Sequence, residues 1–408
     1  MSKANDTERI DLHSGLPYWL VRNPIGPQAA PLDRSITTDV VIVGGGITGA
    51  LCAYSLSDTG IPVVVVDARS FGTGSTCAST ALLQYEIDTP LHELVSLVGE
   101  QKAIESYQLS VASLHRVEAI ARKIGYDGLH TRSSIQYASK ASHVKQLEKE
   151  YDVREKNGIP VEFISQKEEV EALLSFGPPA LLLNPMAAET DALEFAKKLF
   201  EVSAGNGAIF HEHTEITNFQ DTRSGIRLTT KDGHTIGARY LIYATGYEVV
   251  EQLPKNVIDL NSTYAMISTP MDSAPWPNKS LIWETAKPYL YMRTAPDGRI
   301  IVGGRDEEFR SPQRRDALLK KKTVQLIKDF NALFPHHPFT QEFAWCGTFG
   351  STKDGLPYID RGPQQEHSFY ALGMGGNGIT FSVIAADLIR DRILGRINKA
   401  QDLFRFDR

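Results

Sequence analysis

The chain has 408 residues, more than one hydrophobic core ordinarily serves, so two domains are expected, with discontinuous segments allowed. Its 42% hydrophobic and 23% charged content is ordinary for a globular protein, and a net charge of −6 leaves no electrostatic footprint for nucleic acid or an anionic membrane. Cys52, Cys77 and Cys346 form neither a CxxC pair nor a zinc-like cluster, a sparse and odd set that fits a reducing compartment.

The opening stretch MSKANDTERIDLHSG is polar and acidic, which argues against a signal peptide. The most apolar run, Val40 to Leu56, is interrupted by four glycines and is no membrane span. A cytoplasmic protein without a metal centre is therefore expected. Residues 1–35 form an N-terminal arm that runs into the Pro-rich NPIGPQAAPLD stretch. TTDVVIVGGGITGALCAYSLSDTGIPVVVVDAR then predicts strand, tight glycine turn, helix and second strand. Residues 91–124 are long and helix-forming. SSIQYAS, Ser133 to Ser139, alternates as a strand does. HVKQLEKEYDVREKNG sets Val144, Leu147 and Tyr151 on one helical face and stops at Gly158.

Asp191 suits an N-cap, with Glu194 three residues on, for a helix that turns Phe195, Leu199 and Val202 inward and ends near Gly205 or Gly207. Strands are expected at Ile209–His213 and Gly225–Thr230, followed by ARYLIYATGYE. From 260 to 305 the pattern is mostly strand, including YLYMRT, a turn at Pro296-Asp297-Gly298, and RIIVGG. The basic run Arg314 to Lys328 is the solvated face of a helix whose Leu319, Leu326, Ile327 and Phe330 point inward. The strand FYALGM, the loop GGN and the helix GITFSVIAADLIRDRILG close the chain. His211 and His213 lack a third metal ligand in range and are taken as ordinary surface or core histidines.

Gly44-Gly45-Gly46-Ile47-Thr48-Gly49 is a GxGxxG in its proper context, after the apolar strand Val40 to Val43, before an apolar helix, and ahead of a strand that ends in Asp67. Gly44 allows the tight turn, Gly46 lets the backbone approach a pyrophosphate, and Gly49 lets helix and strand pack closely. Asp67 stands where a carboxylate receives a ribose hydroxyl. Further backbone turns come at Ala244-Thr245-Gly246 and at Gly373 to Gly378. Turns so scattered suit a long cofactor lying extended across a sheet, as FAD does.

With these motifs the chain resembles the D-amino-acid oxidase family of FAD-dependent oxidoreductases, which includes glycine, sarcosine and γ-glutamylputrescine oxidases. The landmarks run in order from about Asp39 to Gly395: DVVIVGGGITGA, FGTGSTCAST, AAETDALEFAKKL, TEITNF, YLIYATG, YLYMRTAPDGRIIVGG, WCGTFGSTKDGLPYID and YALGMGGNGITFS. The resemblance implies an α/β, Rossmann-like FAD-binding domain assembled from 36–95, 187–252 and 343–397. It also implies an antiparallel-sheet α+β substrate domain over 96–186 and 253–342. By matching positions, Gly44, Gly46 and Gly49, with Ile47 and Thr48 beside them, hold the pyrophosphate. Asp67, Ala68 and Arg69 lie at the adenosine side, where the family more often has Glu in place of Asp67. Ser75 and Thr76 lie against phosphate and flavin, Ile216 meets adenine, and Thr245 and Gly246 pass beside the cofactor. Gly375, Gly376, Asn377, Gly378, Ile379 and Thr380 present a helix start to the flavin's N1–C2=O edge. That positive end of a helix favours the charge a reduced flavin carries there.

The resemblance implies oxidation of a C–N bond in an amine or amino-acid derivative, with O2 or another acceptor taking the electrons. C–O oxidation of a 2-hydroxy acid, or a subunit whose task is to hold FAD within a larger complex, are the other readings. Amino-acid-oxidising relatives keep an arginine where this chain has Phe349, and glycine-oxidising relatives another where it has Gly376. A buried carboxylate without a cation is costly. Tyr289, Tyr291 and Arg293 alternate along one strand and share a face. They are either a substrate wall with a replacement cation, or core aromatics with a surface or interdomain salt bridge. Gln84, Tyr85 and Glu86 are further candidates, and no lysine occupies RIIVGG, where sarcosine-oxidising relatives place one. In those relatives a cysteine is bonded to the flavin at the position that here is Gly347. Cys346 is one residue off and turned to the opposite face, so noncovalent FAD is expected. Cys77 is taken as a small buried apolar residue.

Overall fold

A computed structural model describes residues 12–23, 29–248, 257–309, 311–363 and 365–408. Two sheets organise it. In the smaller, Val63–Val66 is buried at every position and Val40 to Ile42 are fully inaccessible, as strands covered on both faces by helices must be. Its parallel order is Ser368–Leu372, Thr235–Tyr243, Ile36–Val43, Val63–Val66 and Ile209–His211. Tyr358–Arg361 closes one edge antiparallel, and the hairpin Ile216–Thr222 and Gly225–Thr230 extends from Thr235–Tyr243. Helices Ile47–Ser57, Ala192–Gly205 and Gly378–Ile393 share one apolar core on this sheet. The second is capped as expected, with Asp191 Oδ1 accepting from the Leu193 and Glu194 N–H groups at 3.0 and 3.1 Å.

The larger sheet has ten strands. It runs from His13–Gly15 through Gln341–Ser351, Asp259–Ser268, Ile300–Glu307, Leu290–Thr294, Leu281–Glu284, His130–Tyr137 and Leu181–Glu189 to Leu82–Gln84, with Glu162–Ile164 pairing Leu181–Glu189. Helix Pro312–Leu333 packs Leu326 and Phe330 against it, fully buried. Its basic run is mostly solvated, but Arg315 and Lys322 turn inward, and the Lys322 Nζ bonds the Arg305 carbonyl at 2.9 Å and Glu307 at 2.5 Å.

Four segments differ from the sequence-based expectation. The helical stretch over 91–124 is two helices, Leu91–Val98 and Glu100–Lys123, because Gly99 between them has φ +88°. The second of these, expected in the substrate domain, buries Ala103, Tyr107, Leu114 and Val117 in the core of the smaller sheet. Gln341–Ser351, expected from 343 onward in the FAD-binding domain, belongs instead to the larger sheet, where it pairs with Asp259–Ser268 along most of its length. The strand expected at Ile209–His213 stops at His211, and His213 takes φ +49°. Of the arm, residues 1–11 and 24–28 lie outside the described residues. His13–Gly15 pairs with Trp345–Gly347 of its own chain, and Trp19 Nε1 donates to the Ser79 carbonyl at 2.6 Å. No described helix is long and apolar enough to cross a membrane.

Candidate active site

The end of Ile36–Val43, the start of Ile47–Ser57 and the Ala244–Gly246 turn meet at one point. Gly44 has φ +114°, and a Cβ there would stand 2.3 Å from the Ala244 carbonyl oxygen. A Cβ on Gly49 would stand 1.9 Å from the Gly44 oxygen, so helix and turn touch only because both residues are glycine. Gly46, Ile47 and Thr48 open the helix onto a cavity of about 890 Å³, while Gly49 faces the strand behind it. No side chain of the N-cap residue closes this helix; the Ile47 N–H instead donates to Thr76 Oγ1 at 2.9 Å. Asp67 receives the Gly45 and Arg69 N–H groups at 2.6 and 2.7 Å and borders the cavity beside Ala68 and Arg69. Burial pushes its carboxyl up, against those two hydrogen bonds. Arg69 is ion-paired with Glu248. Ile216 lines the same end.

Ser75, Thr76, Thr245 and Gly246 line the middle of the cavity, and Ser75 Oγ and Thr245 Oγ1 are buried without a hydrogen-bond partner. Orphaned hydroxyls in an enclosed groove call for a polar ligand. At the far end Gly375, Gly376, Asn377, Gly378, Ile379 and Thr380 all line the cavity, and helix Gly378–Ile393 begins there with no side-chain cap on its first N–H groups. Asn377 is anchored by its amide to the Gln84 and Glu86 carbonyls at 3.2 and 2.8 Å. Thr48 Oγ1 meets Ser382 Oγ at 2.7 Å, so the two helix starts are tied to each other.

The remaining wall comes from the larger sheet. Gly347 faces the cavity, whereas Cys346 turns away, 3.5 Å from Asp316 Oδ1, its thiol pushed up to about 11 chiefly by burial. Cys77 is buried off the cavity, against the Gly74 carbonyl. Phe349, Tyr289, Tyr291 and Trp283 line the cavity, with the Tyr289 ring 5.8 Å from Tyr291 and 6.3 Å from Trp283. Tyr291 lies across Gly303 of the RIIVGG strand, where a Cβ would stand 2.3 Å from its ring.

Arg293 corrects the expectation of a replacement cation. It keeps the face of Tyr289 and Tyr291 but lies beyond the cavity, fully buried. Its guanidinium donates to the Thr80, Thr190 and Thr294 carbonyls and pairs with Glu189 at 3.3 Å. Gln84 and Glu86 border the cavity, while Tyr85 is buried behind it and bonded to the Pro160 carbonyl. Glu86 is committed to Arg154 and Asn184.

Two residues that carry no motif, Asp88 and Asp306, also line the cavity. Asp88 Oδ2 accepts the Gly376 N–H at 2.8 Å, and Asp306 follows the RIIVGG strand. Neither is ion-paired among the described residues, and Asp306 Oδ1 is buried without a partner. Burial pushes the Asp306 carboxyl up to about 6, helped by the Asp88 charge and opposed by the Thr263 hydroxyl and Lys322. A raised folded-state pKa means that stability falls as pH rises from the ordinary carboxyl range through about 6. Asp306→Asn is therefore expected to raise stability at pH 8 by about 1–2 kcal/mol, with little gain at pH 4, in thermal unfolding at both pH values.

A glycine cradle at one helix start, an acidic residue at the adjoining strand end and a second uncapped helix start at the far end define the class: a flavoprotein of the dinucleotide-binding type. The family model described as FAD dependent oxidoreductase matches residues 39–392, and the chain belongs to that family. Its cofactor is FAD, and the glycine cradle and orphaned hydroxyls fit it. Glycine oxidase of Geobacillus kaustophilus is 26% identical over 379 residues, covering 90% of this chain and 96% of that one. The γ-glutamylputrescine oxidoreductase of Escherichia coli is 25% identical, covering 92% and 87%. Among solved structures, L-proline dehydrogenase from P. horikoshii superposes with a TM-score of 0.77 at 18% identity, over 91% of this chain and 98% of that one.

Proposed function

We propose that this enzyme oxidises the C–N bond of an amine or amino-acid derivative to an imine. FAD, when bound, would supply the two-electron acceptor for this oxidation. In this reading Gly44, Gly46, Ile47 and Thr48 carry the pyrophosphate, Asp67 the ribose, and Gly376 to Thr380 the flavin edge. Tyr289, Tyr291 and Trp283 hold the substrate and keep water from it, since orientation and desolvation supply most of the rate for such a step. The observation that carries the reading is the meeting of an aromatic wall with the uncapped helix start at Gly378. Asp88 and Asp306, neither ion-paired among the described residues, would repel a nearby substrate carboxylate, that of a 2-hydroxy acid or of an amino acid alike, and so favour an amine or a derivative that keeps its carboxylate away from them.

An anaerobic screen following flavin absorbance tests this. Amines are expected to bleach the flavin; bleaching by 2-hydroxy acids alone, or by no small donor, would defeat the proposal. Readmitting O2 then shows whether oxygen is the acceptor. The cofactor is held noncovalently in this reading, since Gly347 offers no side chain and Cys346 faces away. Acid precipitation is expected to leave the yellow colour in the supernatant, and colour in the pellet would contradict it. A cytoplasmic location is the reading that three buried, unpaired cysteines support.

A further inference from the structure

The substrate side of the cavity lacks what a carboxylate needs and has what an ammonium needs. Among the described lining residues the cations are Arg69, paired with Glu248 at the adenosine end, and Lys287, an exposed residue whose charge reaches Asp88. Two other acids along this wall are already engaged: Glu307 by Lys322, and Glu284 by the Leu290 N–H and the Ser139 hydroxyl. Asp306 is met by the Thr263 hydroxyl and, at longer range, by the Lys322 charge, but it forms no ion pair among the described residues and its Oδ1 has no partner. Tyr289 and Tyr291 line the same cavity as Asp88 and Asp306, and a Cβ on Gly376 would stand 2.8 Å from Asp88 Oδ1 and 3.5 Å from the Tyr289 hydroxyl. Carboxylates without a paired cation and aromatic rings lining one cavity are the groups that bind an organic cation, through a charge-assisted hydrogen bond and ring quadrupoles together.

We propose that the substrate is a carboxylate-free amine whose ammonium group is held by the Asp306 carboxylate in the cavity that Tyr289 and Tyr291 line, and that Asp306 takes the ammonium proton. This rests on the C–N reading above and narrows it. The step balances: one N–H bond breaks and one O–H bond forms. The ammonium and carboxylate become a neutral amine with a free lone pair and a neutral carboxylic acid. Neutral amine is the form that can surrender a hydride, so binding and activation occur at one carboxylate. Asp88, anchored by the Gly376 N–H, adds a second negative charge that disfavours a substrate carboxylate nearby.

The test uses the holoenzyme and two ligands of nearly equal shape and opposite charge. tert-Butylammonium has no α-hydrogen and cannot be oxidised; pivalate replaces its ammonium with a carboxylate. Each is titrated while the flavin absorbance is followed. tert-Butylammonium is expected to bind at least about tenfold more tightly than pivalate, and Asp306→Asn to weaken it by about 10–100-fold. Flavin content and thermal unfolding of the variant report its fold, and the native comparison of the two ions needs no variant. Equal or tighter binding of pivalate, no binding of either ion, or an unchanged Kd in a folded Asp306→Asn protein would each overturn the proposal. Tighter pivalate binding together with bleaching by amino acids would remove the ammonium site and leave the C–N reading intact. Bleaching by 2-hydroxy acids alone would remove both.

Discussion

Replacing Gly44 by alanine is expected to yield a chain that purifies without its flavin. Gly44 has φ +114°, a conformation that costs an L-residue about 1–3 kcal/mol. The added methyl would also lie 2.3 Å from the Ala244 oxygen and 2.6 Å from its carbonyl carbon, both backbone atoms. No side chain there can swing away, so the turn must part from the strand end, where the Ala244 N–H now bonds the Val43 carbonyl at 2.8 Å. Overpacking of this kind adds about 1–3 kcal/mol. Since 1.4 kcal/mol is tenfold, flavin affinity is expected to fall by about a hundredfold or more. The ratio of flavin to protein absorbance after gel filtration measures it. Gly60→Ala is the control: φ is +77° there as well, but nothing lies within 4 Å of the new methyl, so strain without a clash is expected to leave flavin bound. A Gly44→Ala protein retaining its full complement of flavin would show that the turn does not approach the cofactor.

Arg154→Met is expected to destabilise the protein by about 3–5 kcal/mol, because it strands two buried carboxylates. Arg154 is 1% exposed, contacts Glu150 at 2.6 Å and Glu86 at 3.4 Å, and lies over the Tyr85 and Tyr107 rings at 5.5 Å. Glu150 also receives the Leu91 and His92 N–H groups at 2.9 and 3.0 Å, so the cluster ties helix Val144–Lys156 to the start of Leu91–Val98. Through the Glu86 carbonyl it also supports Asn377, and some loss of flavin affinity is expected with the stability. Urea unfolding at pH 7 checks the magnitude. Glu150→Gln together with Arg154→Met is expected to recover part of the loss, since one stranded charge is then gone. Burial alone would raise Glu150, but Arg154 and the hydrogen bonds from His92 and Leu91 outweigh it and hold the carboxyl at about 2. A depressed folded-state pKa contributes stability that is full above the ordinary carboxyl range and lost as pH falls toward about 2. The gap between native and Arg154→Met proteins should therefore narrow on acidification from pH 5 to pH 3.

The glycine turns of the candidate site were legible in the sequence because their requirements are local. A turn at φ +114° selects glycine at Gly44, and tight helix–strand contact selects it at Gly49, so the spacing carries the geometry with it. The uncapped helix start at Gly378 was marked in the same way, by glycines followed by an apolar helical pattern. Alternation likewise put Tyr289, Tyr291 and Arg293 on one face, and they do share it. It could not tell what covers that face at each point along it.

The sequence by itself determined the glycine cradle, the order of strands and helices around it and the family to which the chain belongs. Only the tertiary structure decided which charges meet. Arg293 lies two residues past Tyr291, about 7 Å further along the strand, and there Thr80, Thr190 and Glu189 cover it instead of the cavity. Asp88 and Asp306 carry no motif, and Asp306 is merely the first of three successive acids, Asp306-Glu307-Glu308. They face one cavity because Asp306 lies near the end of Ile300–Glu307 in the larger sheet, while Asp88 is held at the helix start of the smaller one by the Gly376 N–H. Turn geometry is a property of neighbouring residues. The charge of a cavity is a sum over segments that only long-range strand pairing and helix packing bring together.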